Sequence, residues 1–212
     1  MWDELSSHNS CQIFRDARRN RLVMAGEIQS LGVYHPHHGA RFDYFSKCVL
    51  MIKDYPYIEI RRQLNKPDLR RIRAVEFFTN ELRSILSDKD KYAICVMPSH
   101  EEGAAPSGIR TIARRLCRDP IIDATNVLIR TAKMQKKSMG GSRDLSSEIE
   151  SLGVTDNNII NELDDVTTSG TSLNAGRDVL EHAGVELVAM FALGQTEGHG
   201  IQKGLDGMWE IR

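Results

Sequence analysis

Several features are missing from these 212 residues. No apolar run approaches the roughly 18 residues that would cross a bilayer as a helix, so no transmembrane segment and no membrane partner are expected. Residues 1–19, MWDELSSHNSCQIFRDARR, are polar and charged and lack the apolar centre of a secretory signal. A cytoplasmic chain is therefore the expectation. The formal net charge is only −1, so no global field draws in nucleic acid or an anionic membrane. Cysteine is scarce: Cys11, Cys48, Cys95 and Cys117 are the whole set, and no two stand at CxxC spacing. Three of them lie in apolar surroundings and read as small core residues, in keeping with a reducing compartment. Internal repeats and low-complexity linkers are also lacking.

What is present is ordinary for a globular domain: 41% hydrophobic and 27% charged residues, in a chain long enough to bury a core. The first twenty residues carry a loose apolar set, Trp2, Leu5, Ile13 and Phe14, that reads as a helix. Residues 21–34, RLVMAGEIQSLGVY, alternate like a β-hairpin around Gly26 and Gly32. Phe42, Phe45, Val49 and Ile52 share one helix face, ended by Pro56. Leu69, Ile72, Val75, Phe78, Leu82 and Ile85 do the same over four turns.

Beyond residue 90 the pattern changes. Residues 92–97 are a short buried strand stopped by Pro98. Residues 107–116 are helical, with Ile109, Ile112, Ala113 and Leu116 inward. Residues 126–129 read as a second strand, 145–152 as a short helix and 158–166 as a third strand. A helix over 172–182 is closed by Gly184, and 185–193 read as a fourth strand. Strands alternating with helices imply right-handed crossovers and a mostly parallel sheet flanked by helices, an α/β fold. Ligands in such folds sit at the carboxyl ends of the strands.

One stretch carries chemistry: LDDVTTSGTS, residues 163–172. Asp164 and Asp165 fall at the end of a strand, Thr167 to Thr171 form a turn, and a helix begins near Ser172. Backbone N–H groups and hydroxyls at a helix N-terminus make a phosphate cradle, and Gly170 lets the backbone approach closely. The two carboxylates repel a phosphate but suit sugar hydroxyls or a metal ion beside it. The plainer alternative is a polar loop with a Ser or Thr helix cap. The setting of the stretch in a βαβα series favours a phosphorylated sugar.

At these residues the chain resembles the type I phosphoribosyltransferases. The following GRDVLEHAGVELVAMFAL, residues 176–193, is similar to that family's helix, turn and next strand. VMPSHEEGAAPSGIRTIARRLC, residues 96–117, and IRTAKMQKKSMGGSRD, residues 129–144, resemble its ComF-like branch (competence protein, amidophosphoribosyltransferase-like). The resemblance spans roughly residues 90–195. It implies the type I phosphoribosyltransferase fold with a small N-terminal addition, divided as an extension or hood over 1–56 and a phosphoribosyltransferase-like domain over 57–212.

The resemblance further implies Mg²⁺-assisted transfer of a 5-phosphoribosyl group from phosphoribosyl pyrophosphate (PRPP) to a nucleobase or amine, with release of pyrophosphate. Asp164 and Asp165 would hold the ribose hydroxyls and the metal. Val166, Thr167, Thr168, Ser169, Gly170 and Thr171 would wrap the 5′-phosphate. Ser99, His100, Arg130, Lys133, Lys136, Lys137 and Arg143 would meet the pyrophosphate. Two departures from the family pattern stand out: Asn161 and Glu162 interrupt an otherwise apolar strand, and Glu101 and Glu102 make the pyrophosphate loop acidic. The alternative is a non-catalytic module that senses PRPP or a nucleotide within a larger assembly, with a nucleic-acid association such as DNA uptake or processing open to it.

Other candidates rank lower. His35, His37 and His38 in HPHH more often make a turn than a metal site. Arg61, Arg62, Lys66, Arg70, Arg71 and Arg73 form a basic cluster without the interleaved aromatics that stack on bases, so nucleic acid is allowed for but not favoured. His199 would lie near the sheet's carboxyl edge, in reach of an acceptor. A homodimer is also allowed for.

Overall fold

The computed structural model describes residues 14–16, 21–23, 28–35, 42–53, 69–86, 88–134, 144–155, 164–165, 170–187, 189–196, 201–203 and 209–211. In chain order these carry β1 (Phe14–Asp16), β2 (Arg21–Val23), β3 (Ile28–Ser30), β4 (Val33–Tyr34), α1 (Tyr44–Lys53), α2 (Leu69–Arg83), β5 (Ala93–Cys95), α3 (Gly108–Leu116), β6 (Ile122–Asp123), β7 (Leu128–Arg130), α4 (Leu145–Glu150), β8 (Leu152–Val154), β9 (Asp164–Asp165), α5 (Gly170–His182), β10 (Met190–Ala192), β11 (Gln195–Thr196), β12 (Ile201–Lys203) and β13 (Trp209–Ile211). The fold is mixed α/β. Its described strands gather into small sheets, the largest of four strands, rather than one large parallel sheet.

The central strand is β5. It pairs in parallel with β6 on one side and β9 on the other. Side chains alternate across a strand, and here both faces are covered. Tyr92, Ile94 and Val96 pack among residues of α1, α2 and α3, while Ala93, Cys95 and Met97 pack against Leu128, Leu152, Ala175 and Leu180. A strand buried on both faces reads as an unbroken apolar run, which explains YAICVM. β10 is built likewise: Ala189, Phe191 and Leu193 join the first core, and Met190 and Ala192 join Leu173 on the opposite face.

On the first face, α1 and α2 meet through edge-to-face rings, with Phe45 and Phe78 at 5.5 Å between centroids. Gly108, at the start of α3, touches α1 so closely that an added Cβ would stand 2.6 Å from the Ile52 carbonyl oxygen. α3 is capped by Ser107, whose side chain accepts from Arg110 N at 3.2 Å. Ile109, Ile112, Ala113 and Leu116 are buried, as the spacing predicts. α5 ends at His182, and Gly184, at φ +89°, lies just beyond it as a left-handed terminator.

Several sequence expectations are corrected. Residues 14–16 are a strand paired antiparallel with β2, not part of a helix. The hairpin expected within 21–34 is absent from the described pairs. β2 pairs back to β1, while β3 and β4 run parallel to β10 and β11. The C-terminal β12–β13 hairpin then joins the other side of β3. The second parallel strand is β6, whereas β7 forms an antiparallel ribbon with β8, and β8 takes the end of the helix expected over 145–152. Apart from the β1–β2 and β12–β13 pairs, the partner is remote in sequence, and local periodicity carries no information about it. On α2, Leu69 and Ile72 lie outside the core, 61% and 38% exposed, while Val75, Phe78 and Leu82 are buried. The divide expected near residue 56 falls outside the described residues. α1 shares the first core with α2, α3 and β5.

Candidate functional site

The chain leaves β5, crosses through α3, and returns as β6 on one side of β5. It later places β9 on the other side. The strand order therefore reverses at β5, and the crevice beyond the carboxyl ends of β5 and β9 is where open α/β sheets bind ligands. In register, Ile94 is the partner of Asp164 and Cys95 of Asp165. The loop that follows β5, with Ser99 and His100, thus departs beside the acidic pair. Val166, Thr167, Thr168 and Ser169 lie outside the described residues, as does Glu162. Gly170 is the first residue of α5, two positions earlier than the spacing predicts, and Thr171 is exposed in the first turn.

The loop after β5 is held from below. Val96, Met97 and Pro98 are buried. The Ser99 hydroxyl accepts from Glu101 N at 3.3 Å, and Gly103, at φ +75°, bridges antiparallel to Arg130 through Gly103 N to Arg130 O at 2.8 Å. Met134 N donates to His100 O at 2.7 Å.

Arg130 does not extend into the crevice as a free cation. Its Nε donates to Ser99 O at 3.1 Å, Nη1 donates to Ser151 Oγ, and Nη2 pairs with Glu148 Oε2 at 2.7 Å. The side chains of this ion pair are 6% and 4% exposed. Every nitrogen of the guanidinium is engaged inside the protein, so its geometry is that of a support for the loop. The other oxygen of Glu148, Oε1, accepts from Ser172 Oγ at 3.1 Å.

Lys133 and His100 converge on Glu101. Lys133 Nζ lies 2.9 Å from Glu101 Oε2, and His100 Nε2 lies 3.0 Å from Oε1. The Lys133 hydrogen bond, against an opposing desolvation effect, holds the Glu101 carboxyl below its ordinary pKa. The acidic loop thus carries its own counter-cation in Lys133. Lys136, Lys137 and Arg143 lie outside the described residues.

Two residues of this arrangement escaped sequence reasoning, Glu148 and Ser172. Glu148 sits in LSSEIE, a six-residue helix with no spacing that marks it as a buried partner. Ser172 was read only as a helix start. No group of three or more His, Cys, Asp or Glu side chains gathers into a metal site among the described residues. Of HPHH, only His35 is described, its N–H donating to Ser46 Oγ at 3.0 Å. Of the basic cluster, Arg70, Arg71 and Arg73 fall on α2, while His199 and Arg61, Arg62 and Lys66 lie outside the described residues.

Comparison with protein-family models and with curated proteins finds no match to this chain.

Proposed function

We propose that this protein binds PRPP and transfers its 5-phosphoribosyl group to a nucleobase or amine, releasing pyrophosphate, on a type I phosphoribosyltransferase-like α/β core. One observation carries the reading: the parallel pairing of β5 with β9 sets Asp164 and Asp165 beside the Ser99–Gly103 loop at the point of strand-order reversal. On this reading a ligand beyond those strand ends would meet the acids of residues 164–165, the hydroxyls of residues 167–171, and the loop whose Glu101 is paired with Lys133. Those are the groups needed for a sugar with phosphate at one end and pyrophosphate at the other.

In this reading Asp164 and Asp165 accept from the ribose hydroxyls. Residues 166–171 donate to the 5′-phosphate through backbone N–H groups and the hydroxyls of Thr167, Thr168, Ser169 and Thr171. The bond between C1 and the pyrophosphate oxygen breaks with the electron pair leaving on that oxygen, through an oxocarbenium-like transition state. Lys133, with Lys136, Lys137 and Arg143 from the segment that follows, offsets the charge on the leaving group and excludes water. Magnesium would neutralise pyrophosphate oxygens. Such an ion keeps several waters and rests chiefly on phosphate, with Asp164 and Asp165 as the carboxylates that would hold it.

The Glu101 pairs with Lys133 and His100 favour a second reading, a module that senses PRPP or a nucleotide without turnover. Incubation with PRPP, Mg²⁺ and pooled nucleobases and amines separates the two. Sustained, acceptor-dependent pyrophosphate release supports the transferase. A thermal shift by PRPP without release supports the sensor. No shift at millimolar PRPP and Mg²⁺ rejects both.

A further inference from the structure

The buried carboxylate of Glu148 uses its two oxygens on two different parts of the molecule. Oε2 pairs with Arg130 at 2.7 Å, and Arg130 in turn holds the Ser99 carbonyl at 3.1 Å and bridges Gly103 through its backbone. Oε1 accepts from Ser172 in the first turn of α5 at 3.1 Å. The chain Ser99–Arg130–Glu148–Ser172 therefore runs from the loop after β5 to the helix that follows the hydroxyl-rich loop. Ser147 N and Ser147 Oγ are both bonded to Asp144, which fixes the first turn of the helix bearing Glu148. Ser151 Oγ donates to the Glu148 carbonyl at 2.7 Å while accepting from Arg130, so the carboxylate's own backbone belongs to the network.

We infer that Glu148 is a positioning residue that couples the Ser99–Gly103 loop to the first turn of α5, so that a ligand held at one changes the affinity for a ligand held at the other. This rests on the sugar-phosphate reading of the site. The physical basis is that a charge-assisted network in a low-dielectric interior is rigid and costly to break. A shift of the Ser99–Gly103 loop is passed through the guanidinium to the carboxylate and on to the first turn of α5. Coupling between two sites is reciprocal, and a typical factor is about five-fold or more.

The test uses the full chain and two half-ligands. Titration calorimetry gives the affinity for magnesium pyrophosphate with and without saturating ribose 5-phosphate. The ratio of the two affinities is the coupling factor, and direct repulsion between the ligands enters it equally in every variant. Removing Glu148 would strand a buried guanidinium and risk unfolding, so the variant is Ser172→Ala. It deletes one hydroxyl and leaves the Arg130–Glu148 pair closed.

The coupling factor is expected to fall about five-fold or more in Ser172→Ala while both half-ligands still bind, and to return in Ser172→Thr, which keeps the hydroxyl. An unchanged factor in Ser172→Ala, with both ligands bound, overturns the coupling and leaves the site reading intact. Failure of either half-ligand to bind the unmodified protein overturns the sugar-phosphate reading itself.

Discussion

Cys95 and Asp165 are register partners on neighbouring parallel strands, although 70 positions separate them in the chain. The pairing sets the acidic pair beside the end of a strand whose three residues are fully buried, next to the loop that leaves it. Most of what the site is proposed to do follows from that adjacency.

The first prediction concerns the acids. PRPP with Mg²⁺ at about a hundred times its dissociation constant stabilises the folded chain by about 2.7 kcal/mol. For a domain of this size that raises the melting temperature by about 5–10 °C. Asp164→Asn combined with Asp165→Asn should abolish the rise without lowering the ligand-free melting temperature by a comparable amount. Differential scanning fluorimetry reads both quantities, and a full shift in the double variant removes these acids from the site.

The Arg130–Glu148 pair makes a prediction that needs no ligand. Deleting one member of a buried ion pair leaves the other charge unpaired and costs about 3–5 kcal/mol. Glu148→Ala and Arg130→Ala should each lower the urea midpoint accordingly. Arg130→Met with Glu148→Leu should recover most of the loss, because an apolar pair of similar volume leaves no stranded charge. Single variants that cost less than about 1 kcal/mol would show that the pair is open to water in solution.

Glu101 provides a pH test. Its carboxyl is held below its ordinary pKa, first by the Lys133 hydrogen bond. A depressed folded-state value means that the interaction is in place above the unfolded-state pKa and is lost as the pH falls through the folded-state pKa. Lys133→Ala should raise the Glu101 pKa towards its ordinary value, as followed by the carboxyl carbon shift in NMR. If Lys133 turns to a bound leaving group, magnesium pyrophosphate should raise the same pKa in the unmodified protein. A titration that neither change moves would separate Lys133 from both Glu101 and the ligand.

Cys117 titrates at the alkaline end. Burial, with Asp123 adding to it, pushes its thiol up to about 12. The folded state thus keeps a proton that the unfolded chain releases near its ordinary value of 9.0. The contribution is fully present below that pH and is lost as the pH rises from there through about 12. Stability measured by urea melts should fall across this window, and Cys117→Ala should flatten the fall. The folded protein should also react slowly with iodoacetamide at pH 8, since the thiolate is the nucleophile. Rapid alkylation of native Cys117 would contradict the burial.

The chain's own order of residues determined a good deal. Helices α1, α2, α3 and α5 follow from apolar periodicity, because a helix face is set by neighbours three and four positions away. The ends of α3 and α5 follow from Ser107 and Gly184 for the same local reason. The run YAICVM announced a strand covered on both faces. The place of Asp164 and Asp165 on a strand was also legible, and they form β9.

Tertiary structure alone decided the pairings. It set β3 beside β10, made Ile122–Asp123 the parallel neighbour of β5, and turned β7 into an antiparallel ribbon with β8. It exposed Leu69 and Ile72, whose spacing promises burial, while Val75, Phe78 and Leu82 further along the helix are buried. It also withdrew Arg130 from the surface and gave it to Glu148. Backbone ladders and buried ion pairs are satisfied by whichever partner the topology delivers, often tens of residues away, and local spacing holds no record of that partner.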